Sequence, residues 1–327
     1  MHSPSVSLPT SDLVRVNRKG DVSALGAPPN TYRERVEVSP DGTTLAVTVQ
    51  STTDVRLFLY DITRGTLAPA FAQQAVRDTI RPIWSAKGDI AMQVYRSGGS
   101  HIALLSADRT SVVEEPLLPQ SGFAPSSWLR SGEALIGNRD GDLWVYKPSA
   151  SGDKWERLTN SAAQERYPVW SPDGTWLAYA SDVSGRNEVY VQKYPGPGSP
   201  LLVSTAGGEA PVWNPNGREL IYTEPITNDP SRLRYNVMSA LMADPARPGK
   251  PQRLFETNSA VLPARPVCSY AVLFHEPGRT IVLYAAVPPS QCISRHQPAA
   301  DSQLVRRRPP PRADELKPSA LPSINRV

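Results

Sequence analysis

The 327-residue sequence is poor in the residue types that form disulfide frameworks and histidine metal sites, with 2 cysteines and 4 histidines. Cys268 and Cys292 have no second pair with which to build a zinc site, so we expect two free thiols, or one disulfide in an oxidising compartment. The histidines are too few for a His-rich metal site. We expect all four to be structural or solvated: His2, His101, His275 and His296.

The sequence also lacks an apolar run of about 18 residues, the length that a transmembrane helix requires. Residues 1–4 have neither the basic nor the apolar region of a signal peptide. As written, the sequence predicts a cytoplasmic protein, whereas a fragment of a membrane-anchored protein would lie outside the cytoplasm. Gly-x-Ser-x-Gly, Gly-x-x-x-x-Gly-Lys and His-Glu-x-x-His motifs are absent too. We therefore predict no enzymatic activity, no cofactor and no metal.

Proline and glycine are abundant, with 34 and 21 residues, which disfavours a mostly helical fold. The 39% of hydrophobic residues is enough for a sizeable core. A net charge of +4 raises nucleic acid as a partner, but the excess lies in the Pro- and Arg-rich tail, in a run of arginines and prolines at 306–312. We predict a disordered tail over residues 289–327 and no nucleic-acid partner.

A repeat of 42 to 46 residues organises the chain. Pro-Val-Trp-Ser-Pro-Asp-Gly begins at Pro168, and Pro-Val-Trp-Asn-Pro-Asn-Gly begins at Pro211. This spacing matches a four-stranded propeller blade of about 40 to 45 residues. The sequence predicts an all-β, six-bladed β-propeller of four-stranded antiparallel blades over residues 11–288, preceded by a flexible segment, 1–10. Residues 13–16 and 22–25 are predicted to complete the last blade beside the apolar run 280–287, and 226–233 is predicted to be an insertion.

Each repeat carries a tight turn between two apolar runs. Pro presets φ, Asp or Asn bonds its own backbone, and Gly takes the positive φ. Calcium binding by the turn aspartates is the weaker alternative, because each turn offers too few oxygens. We predict structural roles for the turn residues Pro40, Asp41, Gly42, Gly88, Gly132, Pro172, Asp173, Gly174, Pro215, Asn216, Gly217 and Gly278.

Four tryptophans recur once per repeat: Trp84, Trp128, Trp170 and Trp213. Because they follow the period of the fold, packing between blades is favoured over an aromatic ligand ring. Function is expected in the irregular loops 95–100, 181–187 and 226–233. In the second of these, Arg186 and Asn187 could donate hydrogen bonds to an acidic ligand, although a solvated hairpin loop is the simpler interpretation.

The repeated Trp-Ser-Pro-Asp-Gly segment followed by an apolar strand resembles the TolB-like or WD-related propeller family. More narrowly, residues 13–28 and 167–194 resemble the C-terminal propeller of bacterial eukaryotic-like serine/threonine protein kinases. The resemblance covers about residues 11–288. The second and third turns depart from the family pattern because they lack the aspartate, and the kinase motifs themselves are absent.

This resemblance implies a monomeric, non-catalytic module linked to kinase signalling. Such a module would bind a protein, a peptide or a small ligand at one mouth of the central channel. Two alternatives remain. One is the gating propeller of a prolyl oligopeptidase-like hydrolase, for which no hydrolase domain follows residue 288. The other is a six-bladed lactonase-like metalloenzyme, which requires several converging ligands.

Overall fold

The computed structural model describes residues 10–71, 79–97, 99–116, 122–196, 198–226, 234–258, 270–274 and 281–287. These residues contain 24 β-strands, and no helix occurs among them. The strands form six four-stranded antiparallel sheets. The prediction of an all-β fold with four-stranded antiparallel blades is confirmed. The predicted N-terminal segment, the tail, Gly278 and both cysteines lie largely or wholly outside the described residues.

Five of the sheets are blades built from consecutive strands. The first blade contains β3 (Tyr32–Val38), β4 (Thr44–Gln50), β5 (Val55–Asp61) and β6 (Thr66–Pro69). The second contains β7 (Thr79–Trp84), β8 (Ile90–Arg96), β9 (Gly99–Leu105) and β10 (Val112–Pro116). The third contains β11 (Ala124–Trp128), β12 (Leu135–Arg139), β13 (Asp142–Tyr146) and β14 (Trp155–Arg157).

The fourth and fifth blades follow the same order. The fourth contains β15 (Glu165–Trp170), β16 (Trp176–Ser181), β17 (Glu188–Lys193) and β18 (Leu201–Leu202). The fifth contains β19 (Glu209–Trp213), β20 (Glu219–Pro225), β21 (Arg234–Leu241) and β22 (Gln252–Asn258). The innermost strands β3, β7, β11, β15 and β19 lie next to one another in this order.

The sixth sheet joins the two ends of the chain, and we call it the closing sheet. Its order is β2 (Val22–Ala24), β1 (Asp12–Val16), β24 (Ile281–Val287) and β23 (Tyr270–Phe274). β1 pairs with β24, from Asp12 opposite Val287 to Val16 opposite Leu283. The predicted pairing of the N-terminal strands with the last apolar run is confirmed. On its other side, β23 lies beside β3 of the first blade.

The core lies between the blades. Successive residues of a strand point to opposite faces of its sheet, yet Leu45, Ala46 and Val47 are all fully buried. Both faces of the strand are therefore covered by neighbouring elements. Between the first two blades, for example, Ala46 packs in one cluster with Ile90 and Met92.

The innermost strands all contain a register shift, which the sequence repeat did not predict. In each of the five blades, the register of the innermost strand shifts against the second strand, as between Ile80 and Ile83. Three of the shifts contain a non-glycine residue of positive φ, namely Arg81, Tyr167 and Ala210. Each precedes a proline, and a proline disfavours the right-handed helical conformation for the residue before it. The extra residue bends the strand where it borders the centre of the ring.

Candidate functional site

The first and second strands of each blade join at one end of the propeller, which we call the turn face. All five turns have the same backbone geometry. The glycine amide donates to the carbonyl three residues earlier, as from Gly174 to Ser171 over 2.8 Å. The five glycines have φ between 71° and 91°: Gly42, Gly88, Gly132, Gly174 and Gly217. Only glycine adopts this conformation without steric cost.

Side chains complete the turns of the first and fourth blades. In the first, Ser39 Oγ donates to Asp41 over 2.5 Å and accepts from the Thr44 amide over 3.0 Å. Asp41 also accepts from the Thr43 amide over 3.1 Å. The hydrogen bonds from Ser39 and from the Thr43 amide lower the pKa of Asp41. Asp41 Oδ1 is thus used within the turn.

The same serine–aspartate–threonine cap also occurs between β9 and β10, where the sequence analysis did not predict it. Ser106 Oγ donates to Asp108 over 2.6 Å, and Asp108 accepts from the Thr110 amide over 3.0 Å. The hydrogen bond from Ser106, followed by those from Thr110, lowers the pKa of Asp108 to about 2. The Ser-x-Asp-x-Thr spacing, identical to that at residues 39–43, would have revealed it.

The four repeated tryptophans lie in clusters between blades. Trp84 Nε1 donates to the Glu37 carbonyl over 3.3 Å, and Trp128 Nε1 donates to the Ile83 carbonyl over 3.2 Å, so each bonds the preceding blade. Trp170 packs in one cluster with Ala134 and Ile136 of the third blade, and Trp213 in one with Ala178 and Val191 of the fourth. The Nε1 atoms of these two buried indoles have no hydrogen-bond partner in the described part of the chain.

A cleft of about 570 Å³ opens on the turn face, and we call it the turn-face cleft. The turns of the third, fourth and fifth blades form it, together with the segment that follows β21. Two arginines and one aspartate contribute its charge, and tryptophan, proline and methionine side chains contribute its apolar walls. Its lining includes Arg130, Asp173, Trp176, Trp213, Arg218 and Met242. No motif predicted this cleft.

The second and third strands of each blade join at the opposite end, which we call the loop face. Each innermost strand begins here beside the preceding blade. The Glu165 amide donates to the Gly141 carbonyl over 2.7 Å, and the Gly208 amide donates to the Asn187 carbonyl over 2.8 Å. The three irregular loops that the sequence singled out belong to this face, because each connects the second strand of a blade to the third. Of the predicted insertion at 226–233, only Ile226 is described.

Each of these three loops exposes one large apolar side chain. The exposed fraction is 48% for Tyr95, 64% for Val183 and 41% for Ile226. Tyr95 is the penultimate residue of β8, Val183 lies two residues after β16, and Ile226 lies directly after β20. All three are thus near the end of the second strand of their blade, although Tyr95 is two residues closer to the turn glycine of its blade than the other two are.

An arginine–carboxylate pair stands near this end of every one of the five blades. Three of the carboxyl side chains, Asp54, Asp142 and Glu188, are buried. Such a pair joins the ends of neighbouring strands or fastens a loop. The pairs are Arg56–Asp54, Arg96–Glu114, Arg157–Asp142, Arg186–Glu188 and Arg234–Glu256.

Arg186 and Asn187 make internal contacts. Arg186 Nε donates to Glu188 over 2.5 Å, and its Nη2 donates to the Thr205 carbonyl over 3.2 Å. Asn187 Nδ2 donates to Glu209 over 2.5 Å. Both residues thus fasten the loop of the fourth blade to the segment that enters the fifth. Their role as ligand donors stays a prediction, and these contacts compete with it.

A buried carboxyl group at the loop face has a perturbed pKa. Burial raises the pKa of Glu165, although Ser161 Oγ and Thr159 Oγ1 donate hydrogen bonds to it over 2.6 and 3.0 Å.

No group of three or more His, Cys, Asp or Glu side chains placed to hold a metal occurs among the described residues. The same part of the chain has no apolar helix long enough to cross a membrane.

Sequence comparison finds similarity to TolB proteins. A TolB homologue of Chlorobaculum tepidum is 30% identical over 119 residues, 33% of this chain and 26% of the relative. TolB of the Tol-Pal system from Desulfosudis oleivorans is 34% identical over 58 residues, 18% of this chain and 13% of the relative. The matches thus span about a quarter or less of these relatives. No protein-family model matches the chain.

Solved structures of β-propellers have the same fold. A TolB from Agrobacterium tumefaciens superposes with a TM-score of 0.66 at 18% identity, over 86% of this chain and 100% of that one. TolB from Acinetobacter baumannii has a TM-score of 0.55 at 16% identity, over 76% and 67%. An oligogalacturonate lyase in complex with manganese also reaches 0.55, at 13% identity over 82% and 80%. Identities this low support only a shared fold. Because one of these proteins is a lyase, the fold by itself does not indicate a function.

Proposed function

We propose that this chain, a TolB-like β-propeller, is a non-catalytic module that binds a protein partner through its loop face. One observation carries the proposal: Tyr95, Val183 and Ile226 are exposed near the end of the second strand of three blades. Large side chains that leave water on binding supply most of the energy of a protein interface. Three such side chains at one end of a ring form a natural centre for an interface.

The arginine–carboxylate pairs support this choice of face. They hold the strand ends next to the exposed loops, as Arg96 does by pairing with Glu114 beside Tyr95. A surface that is ordered before binding loses less conformational entropy when a partner docks. We propose further that the closing sheet acts as the sixth blade of the ring, which keeps the loops at constant spacing.

The narrower function is a role in serine/threonine kinase signalling, as the resemblance of residues 13–28 and 167–194 suggests. The hydrolase-gating and metalloenzyme alternatives have less support. The metalloenzyme alternative in particular needs converging ligands, and the described residues bring no such group together. A small ligand at the channel mouth would compete with the proposed protein partner for the same loops.

The test compares two triple variants, each of which replaces three exposed large hydrophobic side chains. In the first, the loop-face residues are replaced: Tyr95→Ser, Val183→Ser and Ile226→Ser. In the second, exposed apolar residues elsewhere are replaced: Val113→Ser, Leu202→Ser and Leu241→Ser, whose exposed fractions are 54%, 53% and 64%. Each protein is immobilised, and the proteins retained from an extract of the source organism are quantified by mass spectrometry.

We expect the wild type and the second variant to retain the same partner, and the loop-face variant to retain at least about tenfold less, because each lost apolar anchor costs about 1 kcal/mol or more. Equal retention by the loop-face variant and the wild type would contradict the proposal. Unfolding curves of both variants identify any loss that is due to misfolding.

A further inference from the structure

We infer that the turn-face cleft binds an acidic peptide segment, with Arg130 and Arg218 as the groups that bind its carboxylates. This site lies at the opposite end of the propeller from the loop face, so the inference does not depend on the proposed function. Its basis is a comparison of the five turns with one another, since they share one backbone geometry and differ in side chains.

Arg130 stands where other turns have proline. In the first and fourth blades this position is Pro40 and Pro172, each just before the capping aspartate. In the third blade the cap is absent because Leu129 replaces the serine and Ser131 replaces the aspartate. Arg130 is exposed, lines the cleft, and has no ion pair in the described part of the chain. The turn closes without the arginine side chain, which is free to bind a ligand.

Arg218 stands where the first and fourth blades have threonine. Thr43 and Thr175 donate their hydroxyl groups to the turn aspartates. In the fifth blade, Asn216 replaces the aspartate and accepts only the Arg218 amide, over 2.9 Å. The Met242 amide donates to the Arg218 carbonyl over 2.8 Å, which holds the backbone in place. The exposed guanidinium therefore has neither a capping role nor a carboxylate partner among the described residues.

A second observation concerns Trp213, which lines the cleft and is only 5% exposed. At the corresponding positions, Trp84 and Trp128 donate their Nε1 hydrogen to the preceding blade. Trp213 Nε1 is buried without an acceptor in the described residues, as Trp170 Nε1 is. Because this atom is inaccessible, Trp213 contributes an apolar wall to the cleft and not a hydrogen-bond donor.

The cleft has the size and chemistry for a short peptide. Its volume of about 570 Å³ is within the range of roughly 300–1,000 Å³ that is typical of ligand pockets. Two arginines outnumber the single lining carboxylate, Asp173, which its own turn already uses. Because the cleft extends over the turns of three successive blades, an extended chain can reach both arginines. Trp176 and Met242 add apolar side chains to the lining. The complementary ligand has two carboxylates with an apolar side chain between them.

The test uses isothermal titration calorimetry of the full chain with acetyl-Asp-Phe-Asp-amide. The comparison peptides are acetyl-Asn-Phe-Asn-amide, which is neutral, and acetyl-Lys-Phe-Lys-amide. Phenylacetate tests whether one free carboxylate suffices. The variants are Arg130→Gln and Arg218→Gln, with Arg253→Gln as a matched control, since Arg253 is an exposed arginine of the outermost strand β22.

We expect the acidic peptide to bind at least tenfold more tightly than the neutral one, and the basic peptide not to bind. Each cleft variant should weaken binding at least fivefold, whereas Arg253→Gln and the loop-face triple variant should bind like the wild type. Equal affinity for the acidic and neutral peptides, or affinity unchanged in both cleft variants, would overturn the inference. Phenylacetate binding as tightly as the peptide would overturn the assignment of a peptide ligand.

Discussion

The connections between strands are held in different ways at the two ends of the propeller. At the turn face, residues close together in sequence close every turn, as Ser39, Asp41 and Thr43 do. At the loop face, ion pairs hold strand ends whose residues are up to 22 positions apart, as Arg234 and Glu256 are. The repeated chemistry of the turn face is structural. The departures from it and the non-repeated loops are therefore where binding is to be sought.

The largest effect is expected where the turn between β1 and β2 meets the fifth blade. Arg18, in the turn between β1 and β2, donates to buried Glu219 over 2.5 and 3.1 Å, and Ser239 donates to the same carboxylate. Glu219→Ala removes the link and leaves buried donors unpaired. We expect a loss of about 2–3 kcal/mol in the free energy of unfolding, measured with urea.

A matched control separates this link from an ordinary surface ion pair. Arg64 pairs with Asp61 over 3.3 Å within one blade, and its side chain is 80% exposed. We expect Arg64→Ala to cost at most a few tenths of a kcal/mol, about the value of an exposed ion pair, and Arg18→Ala to cost clearly more. Equal effects of the two arginine substitutions would show that Arg18 does not help to close the ring.

The pH dependence of this link follows from the pKa of Glu219. Burial alone would raise this pKa, but the hydrogen bonds from Arg18 and Ser239 bring it below the ordinary value of 4.5. The stabilisation is therefore present above pH 4.5 and is lost as the pH falls through the lower pKa of the folded state. The Glu219→Ala variant should lack this loss.

The sequence predicted the repeat better than the contacts that complete it. Pro-Asp-Gly turns and β-type runs are local features, so the blades could be identified, and the strands at 13–16 could be assigned to the last blade. Arg18 and Glu219 lie 201 positions apart, and no local pattern relates them. The turn-face cleft was missed for the same reason. It exists only between blades, and Arg130 looked like the loss of a motif rather than the gain of a cation.

The next prediction concerns how closely the closing sheet packs against the fifth blade. A Cβ atom at Gly20 would lie 3.0 Å from the Phe255 ring, and the backbone there has φ of +87°. Gly26 has a similar φ of +77°, but nothing lies within 4 Å of a Cβ at that position. Both Gly→Ala variants carry the cost of positive φ, about 1–2 kcal/mol. Gly20→Ala should cost about 1 kcal/mol more through overpacking.

Thermal or urea unfolding of the two glycine variants measures this difference directly. If Gly20→Ala and Gly26→Ala are equally stable, the Phe255 ring moves aside at little cost. The closing sheet would then be only loosely packed against the fifth blade. Contacts between residues far apart in sequence would in that case contribute less to stability here than the short distances indicate.

A smaller effect on stability is expected at the loop face, and its pH dependence is opposite to that of Glu219. Burial raises the pKa of Glu165 above its ordinary value of 4.5. Above pH 4.5 the folded state holds a proton that the unfolded state has released, so the contribution of this group to stability falls as the pH rises through the raised pKa. Glu165→Gln removes this dependence. We expect the variant to gain stability relative to the wild type between pH 4 and pH 7, as measured by urea unfolding.

The smallest effect concerns the caps of the turn face. Asp173 accepts the Thr175 amide over 3.0 Å, and in the fifth blade Asn216 accepts the corresponding Arg218 amide over 2.9 Å. Asparagine can therefore replace the backbone bond of the cap, but it lacks the negative charge. We expect Asp173→Ala to cost about 1 kcal/mol in unfolding free energy and Asp173→Asn about half as much or less.

The same two variants connect the caps with the turn-face cleft, because Asp173 is the only carboxylate that lines it among the described residues. Removing that charge should strengthen the binding of acetyl-Asp-Phe-Asp-amide two- to fivefold in both variants, although their stabilities differ. Tighter binding in Asp173→Ala alone would mean that loosening the turn, and not the lost charge, improves binding. The turn face would then be a deformable surface, and its contrast with the loop face would rest on flexibility instead of charge.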